Sequence, residues 1–277
     1  MTCEDGYPHR LQRLRARLRG LGSVAVAFSG GVDSSVLLHA AQRELGNGAA
    51  GVIADSPSLP RAELEAARSL ARRIEARLHV VRTDEGEDPR YRANRGDRCY
   101  FCKSALFRAI RPWAQDHGFR ALAFGEITDD LNEDRPGARA ALEFGVVAPL
   151  REAGFSKEDV RRYAREEGLP VADKPATACL ASRIPVGTEV TPERLARVEA
   201  AERALHRLGL LHLRVRDHGD GARVEVGAAE MDLARSREAS LAKALQQAGF
   251  ASHHLAVYRS PGRRAAKDED PLPGEKP

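Results

Sequence analysis

The chain has 277 residues, of which 42% are hydrophobic and 30% charged, the make-up of a globular protein with room for one large domain or a medium and a small one. No apolar run approaches the length of a membrane span, and residues 1–10 lack the apolar core of a signal peptide, so a cytoplasmic protein is expected. The net charge is +4 and the isoelectric point is near 9.0, but bases alternate with acids and aromatics reach only 5%, which describes solvated helix faces and argues against a nucleic-acid surface.

Residues 9–21 carry Leu11, Leu14, Leu18 and Leu21 at helical spacing. The apolar run 24–28 predicts a buried strand, followed by a loop over 29–35 and a helix to about Leu45. Further strands are expected at 49–54, 78–82 and 121–125, with helices at 61–77 and 104–117 between them. Short apolar runs alternating with helices predict βα units and a parallel sheet with right-handed crossovers. Residues 128–136 are polar and acidic, a loop, and 146–150 reads as another strand. A helix over 156–167 starts on Ser156 as N-cap and is closed by Gly168 and Pro170.

Residues 171–190 hold Cys179 and several prolines without clear period, which predicts a functional loop or linker between a larger α/β domain at 1–170 and a smaller α+β domain at 191–258. That second unit opens on Thr191-Pro192-Glu193, a helix start with proline at the first position, and the helix runs to about Leu208. Strands at 211–216 and 223–226 flank Gly219-Asp220-Gly221, a hairpin signal. Helices and a strand at 253–258 follow, and the charged stretch 259–277, rich in Pro and Gly, reads as disordered.

The strongest motif is Ser29-Gly30-Gly31-Val32-Asp33-Ser34-Ser35, between a strand and a helix. A helix start offers unpaired N–H groups and the positive end of the dipole to an anion. Gly30 and Gly31 let the backbone approach phosphate closely, and Ser29, Ser34 and Ser35 add hydroxyls. Asp33, a carboxylate where phosphate would lie, either holds Mg²⁺ or caps the helix. The Gly-Lys-[Ser/Thr] ending of the Walker loop is missing. The string resembles the SGGxDS signature of the PP-loop ATP pyrophosphatases, which implies that ATP gives AMP to a substrate oxygen and pyrophosphate leaves.

There are four cysteines. Cys3 sits near the chain end and nothing is expected of it. Cys99 and Cys102 stand in Arg98-Cys99-Tyr100-Phe101-Cys102-Lys103, before a helix. Cys179 stands between Lys174 and Arg183. Flanking cations favour thiolate. Three cysteines are one short of a closed zinc site; three thiolates can hold a [4Fe–4S] cluster with one iron left open; a redox Cys-x-x-Cys pair and a merely buried thiol are the other readings.

Taken together, SGGVDSS, RCYFCK and KPATACLASR-x-P-x-G resemble the LarE family, ATP-dependent sulfur transferases of nickel-pincer nucleotide synthesis. Asp134-Arg135-Pro136-Gly137 and Leu213-Arg214-Val215-Arg216 fit the same pattern, over about residues 8–258. The resemblance implies a pyridinium-3,5-dicarboxylate mononucleotide as substrate. Each carboxylate is adenylated and AMP is replaced by sulfur, for the cofactor of lactate racemase. One branch of the family gives up the sulfur of the cysteine that matches Cys179. Another holds a cluster on three cysteines, which here are Cys99, Cys102 and Cys179, and this chain matches that branch.

The resemblance also implies cofactors ATP and Mg²⁺, a homo-oligomer and a partner that supplies sulfide. It assigns Ser29, Gly30, Gly31, Asp33, Ser34 and Ser35 to the ATP phosphates, with Gly125 and Thr128 where nucleotide contacts cluster in the superfamily. The local sequence Gly-Glu-Ile-Thr-Asp-Asp departs from the expected Gly-Thr-Asn-like start. Arg214 and Arg216 alternate on a strand, so both face one way, either as a phosphate fork or as a solvated strand face; the resemblance assigns them to the substrate phosphate. Ser182, Arg183 and Glu202 are weaker site candidates; His39, His79 and Trp113 read as packing or surface residues. A tRNA 2-thiolation enzyme is the alternative, but it would need a basic face with exposed aromatics. A sensor with a decayed loop conflicts with intact Asp33 and its serines, and an ammonia-using ligase would leave Cys99 and Cys102 without a role.

Overall fold

The computed structural model describes residues 6–132, 136–175 and 178–259. The chain divides into two compact units. The first comprises residues up to Tyr91 and Gly96–Ala178; the second comprises Arg92–Arg95 and the chain from Cys179 onward. The loop expected at 171–190 is therefore shared out, with Cys179 as the first residue of the second unit.

The first unit runs α1 (Tyr7–Leu21), β1 (Val24–Ala27), α2 (Val32–Leu45), β2 (Ala49–Asp55), α3 (Arg61–Arg73), β3 (Arg77–Arg82), the first three residues of α4 (Pro89–Ala93), α5 (Arg98–Asp116), β4 (Ala121–Phe124), α6 (Pro136–Glu143), α7 (Pro149–Glu152) and α8 (Lys157–Glu166). Its strands lie in the order β3-β2-β1-β4 and all pair in parallel. β1 is wholly buried, because alternate residues serve opposite faces of the sheet. Val24 and Val26 join a core with Leu14, Leu37, Leu64 and Val160, from α1, α2, α3 and α8. Ala25 and Ala27 join another with Phe107, Ile110 and Ala140, from α5 and α6. The expected α/β parallel sheet is the fold observed.

Several boundaries differ from the sequence reading. The helix expected over 61–77 stops at Arg73, because Glu75 takes a left-handed φ of 55° and turns the chain into β3. The strand expected at 146–150 is a single bridge from Val147 to Ala123, and Pro149 opens the short α7. The loop expected at 128–136 has a 3-10 turn over Thr128–Asn132, and Pro136 already opens α6; Asp134 and Arg135 lie outside the described residues. The helix expected from Ser104 begins at Arg98. Cys, Tyr and Phe are weak helix formers, and Phe107 and Ile110 in the core outweigh them. The α8 helix starts on Ser156, whose capping box with Asp159 is fully formed.

The second unit contains α9 (Pro192–Arg207), β5 (Leu213–His218), β6 (Gly221–Val226), α10 (Met231–Ser236), α11 (Glu238–Gln247) and β7 (Ser252–Val257). β5 and β6 form the expected hairpin through Gly219, at φ 75°, and Asp220; β7 then pairs with β6 in parallel. Arg92–Arg95 join this unit through buried Asn94. Its amide donates to the carbonyls of Pro185 at 2.7 Å and Thr188 at 3.0 Å. The stretch 260–277, read as disordered, lies outside the described residues, as do Ala176 and Thr177. No described helix is long and apolar enough to cross a membrane.

Candidate functional site

In a parallel α/β sheet, ligands bind outside the carboxyl ends of the strands. The Ser29–Ser35 loop leaves β1 at that end and runs into α2. Gly30 has φ 74°, and a Cβ there would stand 3.1 Å from the Ala67 side chain, so both backbone and packing require glycine. The loop is internally bonded. Ser34 Oγ donates to the Gly31 carbonyl at 3.1 Å, Ser35 Oγ to the same carbonyl at 2.7 Å, and the Ser29 and Ser34 hydroxyls lie 3.1 Å apart.

Gly125 lies directly against this helix start. A Cβ there would be 2.7 Å from the Ser34 backbone N and 2.9 Å from the Asp33 carbonyl carbon. The structure thus gives Gly125 a packing task behind the loop. Thr128 donates its hydroxyl to the Phe155 carbonyl at 3.0 Å. Glu126 is buried and paired with Arg151 at 2.5 Å.

Asp33 does not cap α2; the N-cap position is Gly31 and no side chain caps there. Both Asp33 carboxylate oxygens instead accept from Lys157 Nζ, each at 2.7 Å. A second ammonium, on Lys174, donates to Glu63 at 2.5 Å and to the Gly30 carbonyl at 3.3 Å. The sequence reading gave Lys174 and Arg183 to the Cys179 thiol, whereas both have oxygen partners here. The sequence reading missed Lys157 and Glu63. A half-buried carboxylate in the first turn of α2, already holding a cation, suits Mg²⁺, and a helix start with hydroxyls and two lysines suits the phosphates of ATP.

The second unit gathers a different set. Arg183, buried, makes a two-pronged pair with Glu202 at 2.9 and 3.2 Å, and Glu202 also accepts the Val215 N–H at 3.0 Å. The Arg183 guanidinium further donates to the Cys179 carbonyl and to Ser182 Oγ, both at 3.1 Å. Arg216 pairs with buried Glu225 at 2.7 Å and donates to the Ser182 carbonyl at 3.1 Å. Arg214 has no carboxylate in salt-bridge reach among the described residues and stacks over the Tyr258 ring at 4.7 Å. Burial first, then the neighbouring Arg183 and Arg216 charges, hold its guanidinium below the usual arginine range, against the opposing pull of Tyr258 and Glu225. So Ser182, Arg183, Glu202, Arg214 and Arg216 form one cluster, to which the structure adds Glu225. The hairpin register sets Arg214 opposite Glu225; the sequence reading, which placed both strands, did not single Glu225 out.

Cys99, Cys102 and Cys179 are all present as thiols. Cys99 and Cys102 occupy the start of α5, three residues apart and so on neighbouring positions of one helix face. Cys179 opens the second unit, its carbonyl held by Ser182 Oγ at 2.7 Å. No three His, Cys, Asp or Glu side chains gather to hold a metal among the described residues. Cys99 and Cys102 belong to the first unit and Cys179 to the second. Of the other residues read as packing, buried His39 meets Tyr163 OH at 2.9 Å and His79 stacks on Trp113.

Comparison with known proteins agrees with the geometry. Residues 11–95, which hold the loop, match the asparagine synthase family. The chain is 35% identical over 165 residues to the argininosuccinate synthase of Haloarcula marismortui, covering 55% of this chain and 39% of that one. The fold and loop make it an ATP-using enzyme of the PP-loop class. Over more of its length it is 38% identical to the pyridinium-3,5-bisthiocarboxylic acid mononucleotide synthase of Lactiplantibacillus plantarum, covering 77% of this chain and 78% of that one. An uncharacterised protein of Synechocystis sp. is 43% identical, with 78% and 81% covered. The chain belongs to the pyridinium-3,5-bisthiocarboxylic acid mononucleotide synthase family, LarE.

Proposed function

We propose that this protein adenylates the carboxylates of a pyridinium-3,5-dicarboxylate mononucleotide and exchanges each AMP for sulfur, giving thiocarboxylates for the nickel-pincer cofactor of lactate racemase. A substrate carboxylate oxygen attacks the α-phosphorus of ATP and pyrophosphate leaves. A sulfur nucleophile then attacks the acyl carbon and AMP leaves. Ser29, Gly30, Gly31, Ser34 and Ser35 seat the phosphates, Asp33 takes Mg²⁺, and Gly125 and Thr128 shape the surroundings. Arg214 and Arg216, with Ser182, Arg183 and Glu202 behind them, bind the substrate phosphate.

The observation that carries the reading is the arginine cluster. Three guanidiniums converge, two are neutralised by Glu202 and Glu225, and Arg214 is left to meet an anion. Cys179, next to that cluster in the same unit, is the residue proposed to act in sulfur transfer. From the cysteine pattern alone, the sulfur source is proposed to be a [4Fe–4S] cluster on Cys99, Cys102 and Cys179. Such a cluster supplies sulfide for repeated turnover. A cytoplasmic homo-oligomer served by a sulfide-supplying partner completes the proposal.

The test is incubation with ATP, Mg²⁺, sulfide and the dicarboxylate mononucleotide. Substrate-dependent pyrophosphate release and a product with sulfur in place of oxygen are expected by mass spectrometry. Pyrophosphate release that ignores the mononucleotide would sink the substrate assignment. Iron and acid-labile sulfide in anaerobically reconstituted protein, lost in Cys102→Ala, test the cluster; their absence makes Cys179 itself the sulfur donor.

A further inference from the structure

Asp33 stands in a loop built to receive an anion, so its charge opposes the ligand unless a cation covers it. In this structure the cation is Lys157, whose ammonium lies 2.7 Å from both carboxylate oxygens. A divalent metal on Asp33 would take the same oxygens. The two cations therefore compete for one carboxylate.

The ends of this contact are unequally held. Lys157 is the first residue of α8, and its backbone N–H donates to Asp129 at 2.9 Å. The helix start beneath it is fixed by the capping box of Ser156 and Asp159, and Asp159 is clamped by Arg10 at 2.8 and 2.9 Å. The base of the side chain is thus rigid. Its tip reaches solvent: the Lys157 and Asp33 side chains are 37% and 26% exposed, so the pair can part without opening the core. Lysine, a flexible and strongly hydrated point charge, suits a contact made to be given up better than the planar fork of arginine.

We propose that Lys157 is the exchangeable counter-cation of Asp33. Mg²⁺ arriving with ATP takes the carboxylate, and the displaced ammonium swings to the triphosphate. Lys157 is then a positioning residue with two tasks: it covers Asp33 before nucleotide arrives, and it adds a cation to the phosphates afterwards. The proposal rests on the loop being the ATP seat.

Binding measurements on Lys157→Met separate the two tasks, because they predict opposite signs. Mn²⁺ alone, followed by its electron paramagnetic resonance signal, is expected to bind about tenfold tighter to the variant, its competitor being gone. ATP in the presence of EDTA, measured by calorimetry, is expected to bind about tenfold weaker, its cation being gone. Lys157→Arg is expected to keep Mn²⁺ binding at the wild-type level, and adding Asp33→Asn to Lys157→Met is expected to remove the gain. Unchanged or weaker Mn²⁺ binding in Lys157→Met overturns the proposal, as does unchanged metal-free ATP binding. Should the Met variant lose its cooperative melting transition, Lys157→Gln carries the same expectations. If the wild-type chain binds no ATP with or without Mg²⁺, the ATP-seat reading itself falls, and the Mn²⁺ comparison still decides whether Lys157 guards Asp33.

Discussion

The two regions proposed to bind anions use different cations. The loop after β1 relies on backbone N–H groups and hydroxyls, and its two lysines, Lys157 and Lys174, rest on Asp33 and Glu63. The cluster of the second unit relies on guanidiniums, with Arg183 and Arg216 locked to buried carboxylates and Arg214 half-buried on an aromatic ring. Lysine pairs on flexible stems can let go when charge arrives and leaves, as it would in the proposed splitting of ATP into AMP and pyrophosphate. Planar guanidiniums held by Glu202 and Glu225 keep one geometry, which suits a phosphate that stays put while distant carboxylates react. On the proposed reading, the loop is arranged for exchange and the arginine cluster for grip.

The comparison is broken most sharply at Cys179. Cys179→Ala is expected to abolish thiocarboxylate formation while ATP and the mononucleotide still release pyrophosphate; loss of both would mean that Cys179 serves adenylation instead. Next is Arg214→Met, which keeps the stem and removes the charge. The substrate KM is expected to rise about tenfold to a hundredfold, the loss of one or two charge-assisted hydrogen bonds, with affinity for ATP unchanged. A matching loss in ATP affinity would erase the division of labour between the two regions.

Gly125→Val tests the loop by packing alone. Its Cβ would meet the Ser34 backbone N at 2.7 Å, and backbone cannot yield as a side chain does. A cost of roughly 1–3 kcal/mol is expected in denaturant unfolding, together with weaker ATP binding. A variant as stable as the wild type, with ATP binding intact, would show that the contact between β4 and α2 is slack.

The smallest effect concerns the support of Lys157. Burial pushes the Asp159 carboxyl up, but the bonds from Arg10 and Ser156 outweigh burial and hold it below its ordinary 3.8. A carboxyl depressed on folding contributes stability that is present above the unfolded value and lost as pH falls through the folded one. Arg10→Ala is therefore expected to cost roughly 1–2 kcal/mol near neutral pH, with the gap to wild type closing as pH falls below 3.8. A gap that holds constant in acid would assign the loss to packing of the Arg10 stem.

The loop was legible because its chemistry is local. A strand, two glycines, an aspartate and three serines in seven residues require nothing from elsewhere to be recognised. The start of α5 was not, because its N-cap residue Asp97 makes no capping hydrogen bond and Arg98–Lys103, with weak helix formers, becomes helical through the packing of Phe107 and Ile110 one and two turns after Lys103. Arg214 and Arg216 were readable as one strand face by their alternation. Their association with Arg183 and Glu202 had only the family resemblance to suggest it, since Glu202 meets Arg183 across 19 residues and Val215 across 13.

By itself the sequence determined what depends on period and proximity along the chain. That covers the βα alternation, the phosphate loop, the N-cap at Ser156, the hairpin at Gly219-Asp220 and the family that the three motifs resemble. Tertiary structure alone decided which charges meet. Lys157 reaches Asp33 across 124 residues and Lys174 reaches Glu63 across 111, while Arg214 is left over once Glu202 and Glu225 are taken. The physical reason is that a periodic pattern is set by neighbours on one element. An ion pair is set by where two elements are packed, and that packing is the outcome of burying Val24, Val26, Leu37 and Val160 in one core.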